Sequence, residues 1–187
     1  MTLLVAGIII FILAHLPRRM MPGFWAGIVG RYGLTAVRAV FGLVIGIATL
    51  MIIVGFRSSP FIAVYDPPSW TVHLNNLMML VAVFIFGLSM SKGRSRAWLR
   101  HPMMTAVLIW AAAHLLVNGD LASIILFVGM AVWALITITL INRAEPVWDR
   151  PAAGTIAGDI RLVVITLVAF GIITGIHTWL GYWPFPR

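Results

Sequence analysis

The stretch LASIILFVGMAVWALITITLI, residues 121–141, carries no charged side chain and no proline from end to end. A helix needs roughly 20 such residues to cross the hydrocarbon core of a bilayer, and only helices and closed barrels satisfy their own backbone groups there. Working outward in both directions, five more apolar runs appear, at 2–16, 35–56, 73–91, 102–117 and 160–181, and none contains Asp or Glu. The pattern predicts an all-α fold, a polytopic membrane bundle of about six transmembrane helices. The first and fourth runs are short, so their helices are expected to tilt little, thin the bilayer or extend past the apolar run.

Composition points the same way. The chain is 61% hydrophobic and 10% charged, against roughly half apolar and a quarter charged in soluble domains. Its length fits a single domain, 1–187, with no internal repeat. The first run lacks a basic leader and is followed by Arg18 and Arg19 instead of a small-residue cleavage site, so it is expected to stay in the mature protein.

There is no cysteine, which excludes thiolate catalysis, Cys-ligated zinc, iron–sulfur clusters and covalently attached haem. Thirteen Lys and Arg against five Asp and Glu give a net charge of +8. These cations sit in short turns between apolar runs, which points to membrane lipids as partners and not to nucleic acid. Eleven of the 13 fall after spans one, three and five: Arg18, Arg19, Arg31 and Arg38, then Lys92, Arg94, Arg96 and Arg100, then Arg143, Arg150 and Arg161. Only Arg57 and Arg187 lie on the other side, so both termini are expected outside. Gly42-x-x-x-Gly46 and Gly171-x-x-x-Gly175 are candidate points of close helix approach.

With every acid read as lying in loops, histidines are the ionisable groups at membrane depth, and such groups are functional candidates. His15 ends span one, His73 opens span three beside Asn75 and Asn76, His101 opens span four, His114 lies deep in it, and His177 is near the end of span six. Helical spacing puts His114 on one face with Trp110, Val107 and Met103. Neutral imidazole is the usual haem ligand and leaves no unpaired charge in lipid. His73 and His101 sit at interfaces, where a polar side chain costs little. No carboxylate pair, G-x-S-x-G elbow or phosphate loop is present, which leaves hydrolase and nucleotide-driven readings unsupported.

The run His73-Leu74-Asn75-Asn76-Leu77-Met78-Met79, the stretch Arg100-His101-Pro102-Met103, and Ala113-His114-Leu115-Leu116-Val117-Asn118-Gly119-Asp120 resemble the NnrU family of bacterial membrane proteins. The likeness extends to His15-Leu16-Pro17 and to Pro151-Ala152-Ala153-Gly154-Thr155. It implies a bacterial inner-membrane location and a supporting role in nitrite and nitric oxide reduction, with denitrification enzymes as possible partners. The family is similar to the plant zeta-carotene cis-trans isomerase, which depends on b-type haem, and that similarity places His15 and His114 on the haem-associated positions, whereas the expected topology sets His73 and His177 nearer in depth to His114. The isomerase has a cysteine where this chain has Ala111. Arg100-His101-Pro102 also looks like the R-H-P signature of membrane methyltransferases that use S-adenosylmethionine, although the corresponding loop here offers Glu145 and Asp149 and no tyrosine. Three readings therefore stand: a haem protein, a membrane enzyme acting on a lipophilic substrate, and a cofactor-free assembly factor. On orientation, a reporter fused after Arg187 is expected to be active only outside the cytoplasm; activity confined to the cytoplasm would reverse the topology.

Overall fold

A computed structural model describes residues 1–185, so Arg187, counted above among the outer cations, lies outside the described residues. The helices are α1 (Thr2–His15), α2 (Pro17–Met20), α3 (Pro22–Tyr32), α4 (Leu34–Arg57), α5 (Thr71–Leu88), α6 (Pro102–Leu115), α7 (Leu121–Ala144) and α8 (Ile156–Trp179), with a 3₁₀ turn at Arg94–Ala97. Five are long and apolar enough to cross a membrane, the first counted as Thr2–Met20. The outer faces agree with that. Ile160, Val164, Ile165, Val168 and Ile172 of α8 are all exposed, an apolar surface that only lipid or protein can cover. The chain is a polytopic, all-helical membrane protein.

The sixth apolar helix, α6, has 14 residues. At 1.5 Å per residue it reaches about 21 Å, short of a hydrocarbon core of about 30 Å. Other boundaries shift for local reasons. The Thr155 side chain accepts a hydrogen bond from the Gly158 amide at 3.1 Å, an N-cap that starts α8 four residues ahead of the expected 160. Asp159, read from sequence as a loop residue, thus stands in the first turn of that helix. Asp120 caps α7 in the same way, accepting from the Ser123 amide at 3.0 Å. The helix α3 falls where only a basic connection was expected.

The helices sort into two compact units, each drawn from two stretches of chain: Met1–Val64 with Asp120–Pro146, and Tyr65–Gly119 with Val147–Arg187. In the first unit, α1 packs along α4 and against α7 around Leu4, Ile8 and Ala122, with Ile52, Phe56 and Leu126 alongside. A Cβ on Gly7 would stand 2.9 Å from the Ile52 nitrogen and 3.0 Å from the Ala48 carbonyl oxygen, and one on Gly55 would overlap the Leu4 backbone. These contacts run α1 antiparallel to α4. In the second unit, α5 packs along α6, whose buried Ala106, Ala111 and Ala113 let the two helices close up, and α8 lies on α5.

The expectation for the two Gly-x-x-x-Gly pairs is corrected. Among the described residues nothing lies within 4 Å of where a Cβ would stand on Gly42, Gly46, Gly171 or Gly175. Spacing of glycines marks a possible seam, whereas the contact itself depends on which helix face meets a neighbour. Gly55→Leu is expected to cost about 1–3 kcal/mol or more by overpacking, whereas Gly42→Ala should stay within about 0.5 kcal/mol; thermal retention of monodisperse protein in detergent measures both.

Candidate functional site

The histidines at the ends of α1, α6 and α8 share one local geometry. His15 Nδ1 lies 2.7 Å from the Phe11 carbonyl oxygen, His114 Nδ1 lies 2.9 Å from that of Trp110, and His177 Nδ1 lies 2.8 Å from that of Ile173. In each case the acceptor is the carbonyl four residues earlier on the same helix. A carbonyl oxygen only accepts, so Nδ1 carries the proton and the neutral ring keeps its lone pair on Nε2. Metal-binding histidines are commonly oriented by this kind of bond, with one ring nitrogen donating to a backbone carbonyl and the other presented to the metal.

In the first unit, His15 is half-buried between aromatic rings. Its ring centroid is 4.3 Å from that of Phe11 and 5.0 Å from that of Trp133, the latter at 64°. Phe11 and Trp133 also meet edge to face at 5.1 Å. Trp133 is buried, and its indole N–H has no hydrogen-bond acceptor among the described residues. A buried donor without an acceptor is costly and is uncommon in folded proteins. Sequence reasoning did not find Trp133, because nothing local to α7 shows that α1 delivers a histidine against it.

In the second unit, His114 sits in the last turn of α6 with Trp110 at 5.3 Å between ring centroids, as helical spacing anticipated. The end of this short helix is heavily fastened. The Thr71 hydroxyl lies 2.6 Å from the Pro68 carbonyl oxygen and 2.7 Å from that of Leu116 and shares its one proton between them, and the Asn118 amide donates to the His114 carbonyl at 2.8 Å. The Tyr65 hydroxyl donates to the Asn118 carbonyl at 2.9 Å and also meets the Leu115 carbonyl. Helix C-termini leave carbonyls without intrahelical donors, and these side chains supply donors at the turn that carries His114. His73 is exposed in the first turn of α5. His101 is the N-cap of α6 with Pro102 at its first position, so Arg100-His101-Pro102 here starts a helix.

At the other end of that unit, two connections are joined. The Asp159 carboxylate accepts from the Arg94 amide at 3.1 Å, the Ser95 amide at 3.0 Å and the Ser95 hydroxyl at 2.6 Å. The Thr155 amide donates to the Lys92 carbonyl at 3.1 Å and the Gly154 amide to the Gly93 carbonyl at 3.2 Å. Backbone touches backbone here, and a Cβ on Gly154 would overlap the Lys92 carbonyl oxygen. The basic turn from Lys92 to Arg96 is therefore fixed to the start of α8. The signal for it was present in Gly154-x-x-x-Gly158-Asp159, but the partner Ser95 lies 64 residues away.

Among the described residues, no group of three or more His, Asp or Glu side chains is placed to hold a metal ion. A family profile described as "NnrU protein" matches residues 3–184, spanning both units. The chain belongs to the NnrU family. Comparison with curated proteins and with solved structures returned no match. The segments that suggested NnrU membership now have defined places: Ala113–Asp120 forms the fastened end of α6, Arg100–Met103 its start, and Pro151–Thr155 the connection that docks on Lys92 and Gly93.

Thr71→Val is expected to leave the Leu116 carbonyl without that donor at a cost of about 1 kcal/mol. For a chain of this size that corresponds to a fall in Tm on the order of 2–4 °C, readable by thermal melting in detergent.

Proposed function

We propose that this NnrU protein binds b-type haem in a bacterial inner membrane and supports nitrite and nitric oxide reduction, with His114 and His15 each a candidate iron ligand. The observation that carries the reading is the hydrogen bond from Nδ1 to the carbonyl four residues earlier, made by both His15 and His114. It holds each imidazole in the tautomer that presents Nε2, and it does so without an acidic partner. Each histidine by itself suits haem: a neutral nitrogen beside aromatic rings, Phe11 and Trp133 at His15 and Trp110 at His114. Bound there, the iron supplies one-electron redox chemistry.

The chain's own residues do the holding. Phe11 and Trp133 fix the plane of His15, while Thr71 and Asn118 secure the turn of His114. His177 has the same Nδ1 geometry within the unit of His114 and is the alternative second ligand. His73 is exposed and makes no such bond among the described residues, which ranks it below both.

The test is the absorption spectrum of protein purified from haem-replete cells, before and after reduction. His114→Ala and His15→Ala are each expected to abolish the Soret band while leaving membrane insertion intact, and His101→Ala to leave it. Loss with His177→Ala in place of His15→Ala would move the second ligand to α8. A preparation without haem, or a spectrum that survives His114→Ala, would overturn the reading.

A further inference from the structure

The segment between α1 and α4 holds a short helix that the rest of the chain covers only in part. Because α1 and α4 are antiparallel, with Gly7 against Ala48 and Ile52 and Gly55 against Leu4, the chain that leaves α1 at His15 re-enters the bundle at Leu34 on the same side of the membrane. Residues 16–33 therefore stay on one face. Within them α3 has 11 residues, about 16 Å of helix, half of what a span needs. None of its residues is buried.

Its sequence divides cleanly around the helix axis. At 3.6 residues per turn, Phe24, Trp25, Ile28, Val29 and Tyr32 share one arc, and Pro22, Gly23, Ala26, Gly27 and Gly30 fill the opposite one. The aromatic arc is held to the protein at a single edge, where Trp25 meets Phe41 of α4 at 5.1 Å between ring centroids. Ile28 and Val29 are half-buried, but at the two ends the arc is open: Phe24 is 51% exposed and Tyr32 61%, and the neighbouring Met20 and Met21 are also exposed. Around this apolar strip stand Arg18, Arg19, Arg31 and Arg38, and no acidic residue occurs before Asp66. Arg19 has one ion pair, with Glu145 at 3.3 Å, and the Arg31 guanidinium lies over the Tyr32 ring.

We infer that α3 lies flat in the head-group region of an anionic leaflet, with its aromatic arc turned into the acyl boundary and its arginines on phosphate. A short amphipathic helix with aromatics on one face and a surplus of arginine is the form that binds such an interface. Both flanking helices are apolar and of membrane type, so the strip begins at the depth where lipid head groups are. The occupant is anionic phospholipid. The inference is independent of haem.

The absence of cysteine makes the test direct. Single nitroxide labels are placed through Phe24→Cys, Ile28→Cys and Tyr32→Cys on one arc and Gly23→Cys, Gly27→Cys and Gly30→Cys on the other. The full chain is reconstituted in vesicles of phosphatidylglycerol with phosphatidylcholine, and in phosphatidylcholine alone, and each label is read for collision with oxygen and with an aqueous nickel chelate. The aromatic arc should show a several-fold higher oxygen-to-nickel ratio than the glycine arc, repeating with helical period. The difference should shrink in pure phosphatidylcholine and in the Arg18→Gln, Arg19→Gln, Arg31→Gln variant. Six labels equally open to nickel would make the segment a solvated loop, and six immobilised labels closed to both reagents would mean that protein, including a second copy, covers it. Either result overturns the inference. A periodic pattern indifferent to lipid charge overturns the assignment to an anionic leaflet.

Discussion

Inside hydrocarbon, a backbone carbonyl with no donor costs several kcal/mol, and α6 ends after 14 residues, before it has covered a full bilayer core. The organisation around His114 follows from that constraint. Thr71, Tyr65 and Asn118 turn their hydrogen-bonding groups onto the carbonyls of the 114–118 turn. A frayed helix end would let the imidazole at its tip sample many positions; a fastened one gives it a single orientation. The short helix and the fixed histidine are thus two sides of the same arrangement.

The same economy governs the histidines themselves. Acids are scarce in this chain, and the one carboxylate placed in the first turn of a long helix, Asp159, is committed to Arg94 and Ser95. The histidines at the ends of α1, α6 and α8 use backbone carbonyls of their own helices instead. A carbonyl already engaged in a helix keeps a second lone pair, so the ring is oriented with no further charge introduced into the bilayer.

How much of this was legible in the sequence varied with the range of the interaction involved. The apolar runs predicted each long helix to within a few residues, because crossing lipid imposes a length and a composition on every span. Local caps moved the ends: the start of α8 at Ile156 depends on Thr155, a signal five residues upstream of the apolar run. The neighbours of His114 followed from helical spacing, since Trp110 is one turn away. The setting of His15 did not, because Trp133 reaches it from another helix. Glycine spacing misled for a related reason: Gly42 and Gly46 face open space, while the isolated Gly7 and Gly55 make the close contact between α1 and α4. The amphipathic character of α3 was readable in principle, but its many glycines and flanking arginines disguised it as a connection.

The interleaving of the two units has a consequence for biosynthesis. The hairpin of α1 and α4 leaves the ribosome first, yet its third helix, α7, is made only after α5 and α6. The aromatic setting of His15 cannot close until Trp133 has been translated, when most of the chain is already in the bilayer. Neither unit is a contiguous piece of sequence, and a truncation from either end that keeps one of them whole also carries part of the other.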